Sequence, residues 1–266
     1  MTLETKPSPD SRHTDGSAGD ADYGRIGRGY ASYRQPEPAI AALIEAALGP
    51  AGRILNVGAG AGSYEPRGRD VTAVEPSASM RAQRPADIAV AIDATAEKLP
   101  FPDGAFDASM TTFSVHQWQD LEAGLKEMRR VTRGPVAVLS CDPELVEAFW
   151  LSDYAPQVLA TEARRYPSLA RMGAVLGGAV EIVPVPIPLA CVDGFNEAYY
   201  GRPERFLDPN ARSACSAWSF VGEAENAASI ERLRQDLDSG AWDARHGALR
   251  TQASFEGSLR LLISRA

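Results

Sequence analysis

The sequence is short of the residues that usually announce a metal, a disulfide scaffold or a membrane. Of its 266 residues, three are cysteine (Cys141, Cys191, Cys215) and three are histidine (His13, His116, His246). The cysteines are odd in number and far apart, which suits neither a disulfide framework nor a zinc site. They read as small buried hydrophobes, and the scattered histidines form no group with ligand spacing, so no metal is expected. A reducing cytoplasm is the expected compartment. No apolar run reaches the roughly 18 residues of a membrane span. Residues 1–22 are polar and lack the apolar segment that marks secretion. Positive charge is scarce too: 27 Lys and Arg stand against 35 Asp and Glu, a net charge of −8 with no basic block. Nucleic acid and anionic membrane are therefore poor expected partners. What remains, 44% hydrophobic and 23% charged, is the composition of an ordinary globular chain.

The patterning is more informative. Residues 1–22, rich in Ser, Asp, Gly and Pro, read as a tail with little to bury, and order is expected from about Tyr23. A helix is expected over 37–48, with Ile40, Leu43, Ile44 and Leu48 on one face and Gly49-Pro50 as its stop. Short apolar runs then follow at 53–57, 71–75, 88–92, 106–110 and 136–140, with a helical stretch over 120–131 before the last. Such alternation indicates a parallel sheet covered on both faces. Two further strand-like runs lie at 180–188 and 258–264; Pro184 and Pro186 place the first near a sheet edge.

The stretch ILNVGAGAGSYEP (54–66) runs a strand into Gly58, Gly60 and Gly62. Glycine there lets the backbone turn sharply and approach a ligand. Glu75, at the carboxyl end of the next strand, stands where ligands bind in such sheets, and its carboxylate can accept both hydroxyls of a ribose. Loops of this kind also bind nicotinamide dinucleotides, although their third glycine would fall where this chain has Ser63. An NAD(P)-dependent oxidoreductase is thus one reading; a nucleoside with a compact zwitterionic tail is the other, and it suits GxGxG better.

Together LNVGAGAG, VTAVEPS, AEKLPFPDGAFD (96–107) and VHQWQDLEAGLKEMRRVTRG (115–134) resemble the class I S-adenosylmethionine-dependent methyltransferases. The likeness is to the small-molecule group related to ubiquinone and trans-aconitate methyltransferases. It implies an α/β fold: a doubly wound, Rossmann-like, seven-stranded, mostly parallel sheet with an antiparallel final strand and a helical lid insertion. The organisation implied is a tail over 1–22, an S-adenosylmethionine-binding core over 23–140, and acceptor-side helices with two closing strands over 141–266. The resemblance also implies a set of cofactor contacts. Glu75 would hold the ribose, Thr95 and Ala96 would flank the adenine near Leu99 and Pro100, and Asp93 is an alternative partner for its amine. The methionyl tail would lie over Gly58, Ala59, Gly60 and Gly62, near Thr111 and Thr112. Tyr30 and Arg34 match the N-terminal cover that contacts the cofactor's carboxylate. Asn56 stands where the family usually has an acid, so one negative charge near the cofactor is missing. Only eight residues separate Gly62 from Val71, so the helix after the glycine loop is expected to be about one turn, with cover supplied by the segment Tyr23–Tyr33.

Methyl transfer from a sulfonium needs mainly alignment and exclusion of water. The expected acceptor is a small molecule, apolar or aromatic, methylated on O or N. His116 is the candidate base, because histidine titrates near neutral pH; a packing role is the alternative. His246 reads as a surface residue and Asp142 as either a cap or an acceptor contact. Arg202 reads as solvated or as a partner for an acidic group. The many aromatics after 141 read either as a lid over the acceptor or as a subdomain's own core. Rival functions are a cofactor-binding protein without transferase activity and a macromolecular acceptor.

Overall fold

The computed structural model describes Gly19 and residues 30–266. The expected tail over 1–22, the start of order at Tyr23 and His13 otherwise lie outside the described residues. The described chain opens with a one-turn helix α1 (Tyr30–Tyr33) and α2 (Pro38–Leu48), as the apolar periodicity predicts. Pro38 opens α2, Glu37 caps it through a bond from the Ala39 N–H, and Gly49 ends it in the left-handed region.

A six-stranded sheet follows, in the order β2-β1-β3-β4-β8-β5. Its strands are β1 (Arg53–Val57), β2 (Asp70–Val74), β3 (Ala108–Thr112), β4 (Val136–Cys141), β5 (Ala179–Pro184) and β8 (Leu259–Arg265). β2, β1, β3 and β4 pair in parallel, and β8 runs antiparallel between β4 and β5. This is the expected mostly parallel sheet with an antiparallel final strand, and β5 is at the edge where its prolines put it. Alternate residues sort to opposite faces. Ile54, Ala137, Leu139 and Leu261 join the core under α2, whereas Leu55, Val136, Val138 and Leu262 join the core under the next long helices. Those are α4 (Leu121–Val131), capped by Asp120, and α6 (Leu169–Leu176).

The strand count corrects the expectation of seven. The apolar run at 88–92 forms no strand: only Ile92 pairs with β2, through a bridge to Val74 and bonds to Ala73 O and from Glu75 N. The chain reaches this edge through turns after the short helix α3 (Ala78–Arg81) and leaves it at once. Only Ala91 of the run is buried, against Ala59 and Ala73, and Val90 is 89% exposed. A second correction concerns the glycine loop. Residues 60–69 form turns, not a helix, because Pro66 and Gly68 interrupt too short a span. Tyr64, itself in the left-handed region at φ 64°, is buried there and joins the core on the α2 side.

Between β4 and β8 lie α5 (Pro156–Arg165), α6, β5, β6 (Ile187–Pro188), α7 (Pro209–Ser213), α8 (Glu223–Ser239), α9 (Ala241–His246) and β7 (Ser254–Phe255). Most aromatics of this region pack on one another. Trp150 meets Phe149, Phe206 and Trp242 at ring separations of 5.1, 5.7 and 5.3 Å, and Tyr200 stacks on Phe255. These rings build the region's own core, one of the two alternatives the sequence left open.

Candidate functional site

At the carboxyl end of β1 the backbone turns through Gly58, Gly60 and Gly62, all with positive φ. A side chain at Gly58 would collide with the Ser114 hydroxyl, so the close approach of loop and strand end requires glycine. Glu75 follows β2 directly. Its carboxylate accepts from Gly60 N and Ser77 N, both at 2.8 Å, tying the loop to the neighbouring strand end. Burial raises the Glu75 pKa, opposed by these two N–H donors. A cleft opens over this loop. Its walls include Gly58–Ala61, Glu75, Met80, Thr95, Ala96, Glu97, Thr112, Ser114 and Trp118, with Tyr30, Arg34 and Asp193 above.

The cover is pinned across the molecule. Arg34 donates from Nε to Asp193 at 2.5 Å, and the Tyr64 hydroxyl donates to the other carboxylate oxygen at 2.8 Å. Gly194 N bonds Tyr33 O, and Val192 N bonds the Glu37 carboxylate. The Arg34 guanidinium lies 4.7 Å from the centroid of Phe113, which is held at φ 51° just after β3. Left-handed backbone in a bulky residue costs energy and persists where packing fixes it, often at functional sites.

Tyr30, Arg34 and Phe113 also line a second, smaller inner cavity. Its other walls include His116, Glu162, Arg165, Tyr166, Phe195 and Cys215. His116 packs its ring 4.7 Å from that of Tyr166. Glu162, on the last turn of α5, accepts from Asn196 Nδ2 at 2.6 Å, and Asn196 Oδ1 accepts from Trp218 Nε1 at 3.0 Å. Burial raises the Glu162 pKa, while Asn196, Arg165 and Arg34 pull it down.

Residues 55–136 match the family model described as a methyltransferase domain. Among curated relatives, the malonyl-[acyl-carrier protein] O-methyltransferase of Pseudescherichia vulneris is 34% identical over 162 residues, covering 53% of this chain and 63% of that protein. A demethylmenaquinone methyltransferase of Beutenbergia cavernae is 42% identical over 92 residues, covering 32% and 38%. The chain thus spans less than two thirds of these relatives' length. A solved structure from Anabaena variabilis, named as a methyltransferase from an antibiotic biosynthesis pathway, is 29% identical with a TM-score of 0.82, covering 88% of this chain and 99% of that one. The chain carries a class I methyltransferase domain.

Of the site residues expected from sequence, this methyltransferase domain brings Gly58, Ala59, Gly60, Glu75, Thr95 and Ala96 to one cleft, together with Tyr30 and Arg34 from the cover. The β3 end contributes Thr112 to the lining, whereas Thr111 is buried behind it and its hydroxyl has no hydrogen-bond partner among the described residues. Gly62 lies off the lining, against Ile88 and Arg84. Asp93 also lies off it, half-exposed and 3.3 Å from Arg81. His116 lines the inner cavity alone. Asn56 is buried beneath the loop and donates to Glu65 at 3.0 Å; Glu65 in turn receives Arg84 Nη2 on both oxygens at 2.9 Å. The carboxylate lost at position 56 thus reappears one hydrogen bond away, neutralised by a buried arginine.

Sequence reasoning missed this pair, because Glu65 and Arg84 sit in turns with no periodic signal. It also missed Asp193 and Glu162, which reach the site from far along the chain. The remaining expectations resolve simply. Asp142 caps the turn after β4 by accepting from Glu144 N, and His246 lies 3.2 Å from Asp153 away from both cavities. Arg202 is half-buried, donates to the backbone carbonyls of Cys191 and Ala198, and lies off the lining of both cavities.

Proposed function

We propose that the protein transfers a methyl group from S-adenosylmethionine to the oxygen or nitrogen of a small molecule seated in the inner cavity. One observation carries this reading: the cleft over the glycine loop and the inner cavity meet at Tyr30, Arg34 and Phe113. Neighbouring donor and acceptor sites are the arrangement a direct group transfer needs. The cleft fits the cofactor by its own construction, since side chains at Gly58 or Gly60 would fill the cradle and Glu75 offers a carboxylate beside it. Bound there, S-adenosylmethionine supplies a methyl group already activated on a sulfonium.

The chain's own residues hold, orient and dry the site. Glu75 accepts the ribose hydroxyls with the lone pairs left over from Gly60 and Ser77. Thr95 and Ala96 flank the adenine, with Asp93 as the alternative partner for its amine. Gly58, Ala59 and Gly60 let the tail approach the backbone, Gly62 completes the turn behind them, and Thr111 and Asn56 back the strand ends beneath it. Arg34 keeps N–H donors beyond those given to Asp193 and, with Tyr30, covers the tail. His116 is the wall of the inner cavity that takes the proton a hydroxyl or amine acceptor must lose, on a ring nitrogen. Replacement of His116 by Ala should then slow turnover by about 10²-fold; a loss below about fivefold removes it from the proton path.

Isothermal titration tests the reading at its base. Micromolar binding of S-adenosylhomocysteine, with no binding of NAD(P), supports it, and the reverse pattern replaces it with an oxidoreductase. In the described residues no helix is long and apolar enough to cross a membrane. The acidic charge of the chain favours a small or peptide acceptor over nucleic acid.

A further inference from the structure

The inner cavity has a polar wall that transfer chemistry alone does not call for. Glu162 is carried there by the last turn of α5, and its orientation is fixed by two links. The Trp218 indole can only donate, so its bond to Asn196 identifies the amide oxygen and turns the Asn196 NH2 toward Glu162. The donor presented to Glu162 is therefore set by the fold and not by a free amide flip. One carboxylate oxygen is engaged by Asn196, and the side chain remains half-buried because it forms part of the cavity wall. The neighbouring cations act on Glu162 through space but donate elsewhere: Arg34 pairs with Asp193, and Arg165 donates to the Ser216 hydroxyl at 2.9 Å while stacking on Phe220. A half-buried carboxylate is costly unless something donates to it.

We propose that Glu162 is a specificity-determining residue, which selects acceptors presenting a hydroxyl or amine hydrogen-bond donor and rejects acceptors presenting a carboxylate at that point. The inference rests on the inner cavity being the acceptor site. The selected group donates into the oxygen that Asn196 leaves open. An acceptor carboxylate bonded to that oxygen would face a like charge and would leave Glu162 without its donor, a penalty that Arg34 and Arg165, already engaged elsewhere in the same wall, offset only in part. The aromatic lining from Tyr166 and Phe195 accommodates the apolar body of the same molecule.

Ligand-observed NMR on the full chain saturated with S-adenosylhomocysteine tests this, using phenol, benzylamine and benzoate at equal concentration. The wild type should bind phenol or benzylamine and exclude benzoate, and which of the two binds tells a neutral hydroxyl from an ammonium. Glu162→Gln, which keeps an oxygen for the donor but removes the charge, should raise benzoate binding relative to phenol at least tenfold. Val131→Ala, which thins the buried core under α4 away from both cavities, should leave the selectivity unchanged and serves as the control for general loosening. Wild-type binding of benzoate on a par with phenol, failure of all three to bind the loaded protein, or a Glu162→Gln selectivity within twofold of wild type would each overturn the assignment. Failure to bind S-adenosylhomocysteine would instead remove the proposed function beneath it.

Discussion

Glu75 is the residue on which donor binding should depend most steeply. It accepts two backbone N–H groups at 2.8 Å, from Gly60 and Ser77, and an ionised carboxylate offers about four lone-pair directions. The remaining directions face the cleft, where they can accept two ribose hydroxyls. Hydrogen bonds to a charged group contribute about 1.5–3 kcal/mol each. Taking the lower figure twice gives about 3 kcal/mol, or about 10²-fold in dissociation constant. Glu75→Ala should therefore weaken S-adenosylhomocysteine about 10²-fold. Glu75→Gln keeps one acceptor oxygen and should weaken it about 10-fold. The Ala variant also strands the N–H groups of Gly60 and Ser77, at about 1–3 kcal/mol for each that water does not reach. It should melt several degrees lower, as 1 kcal/mol moves a domain of this size by about 2–4 °C. Isothermal titration of both variants, with thermal melts alongside, separates the two effects. An affinity within threefold of wild type for Glu75→Ala, in protein that is still folded, would refute the ribose assignment.

Other consequences follow from particular contacts. Asp93→Ala, which removes a half-exposed side chain off the cleft lining, should change S-adenosylhomocysteine affinity less than threefold; a tenfold loss by the same titration would make Asp93 the adenine's partner. Gly58→Ala should abolish cofactor binding while the sheet still folds, because the added methyl meets Ser114 at φ 65°; retained affinity would contradict the cradle. Asn56→Asp would set a second carboxylate against Glu65, with Arg84 able to offset only one, and should lower the melting temperature by several degrees near neutral pH. Glu197, buried and bonded to Ser258 N and Oγ, has its carboxyl pushed up to about 7 mainly by burial. A carboxyl whose pKa is higher folded than unfolded favours the fold below its unfolded pKa and loses that contribution as pH rises through its folded one. Melting temperature should therefore fall as pH rises from about 4.3 toward 7, and Glu197→Gln should flatten that slope; parallel wild-type and mutant curves would contradict it.

Much of the donor side was legible in the sequence because it is local. A strand, three glycines and an acid at the end of the next strand fall within some twenty consecutive positions, and backbone geometry alone brings Gly58, Gly60 and Glu75 together. The long helices were legible for the same reason, through the single apolar faces of 38–48 and 121–131. The run at 88–92 misled because apolar composition signals a strand only when a layer exists to cover it, and Val90 has none. The acceptor side was opaque because it is assembled by long-range contacts. Asp193 reaches Arg34 across 159 residues, and Glu162 depends on Asn196 and Trp218 far downstream. The aromatics after 141 could be counted but not sorted, since nothing local distinguishes a ring in the core, such as Trp150, from one in a cavity wall, such as Tyr166.

The two adjoining cavities are proposed to hold a methyl donor and its acceptor. Incubation of the purified chain with methyl-labelled S-adenosylmethionine and a fractionated metabolite extract tests it most directly. Label should appear in at least one small-molecule fraction, lost with Glu75→Ala and reduced by Glu162→Gln. Tight binding of the labelled cofactor with no transfer to any fraction would contradict it and leave a cofactor-binding protein without transferase activity.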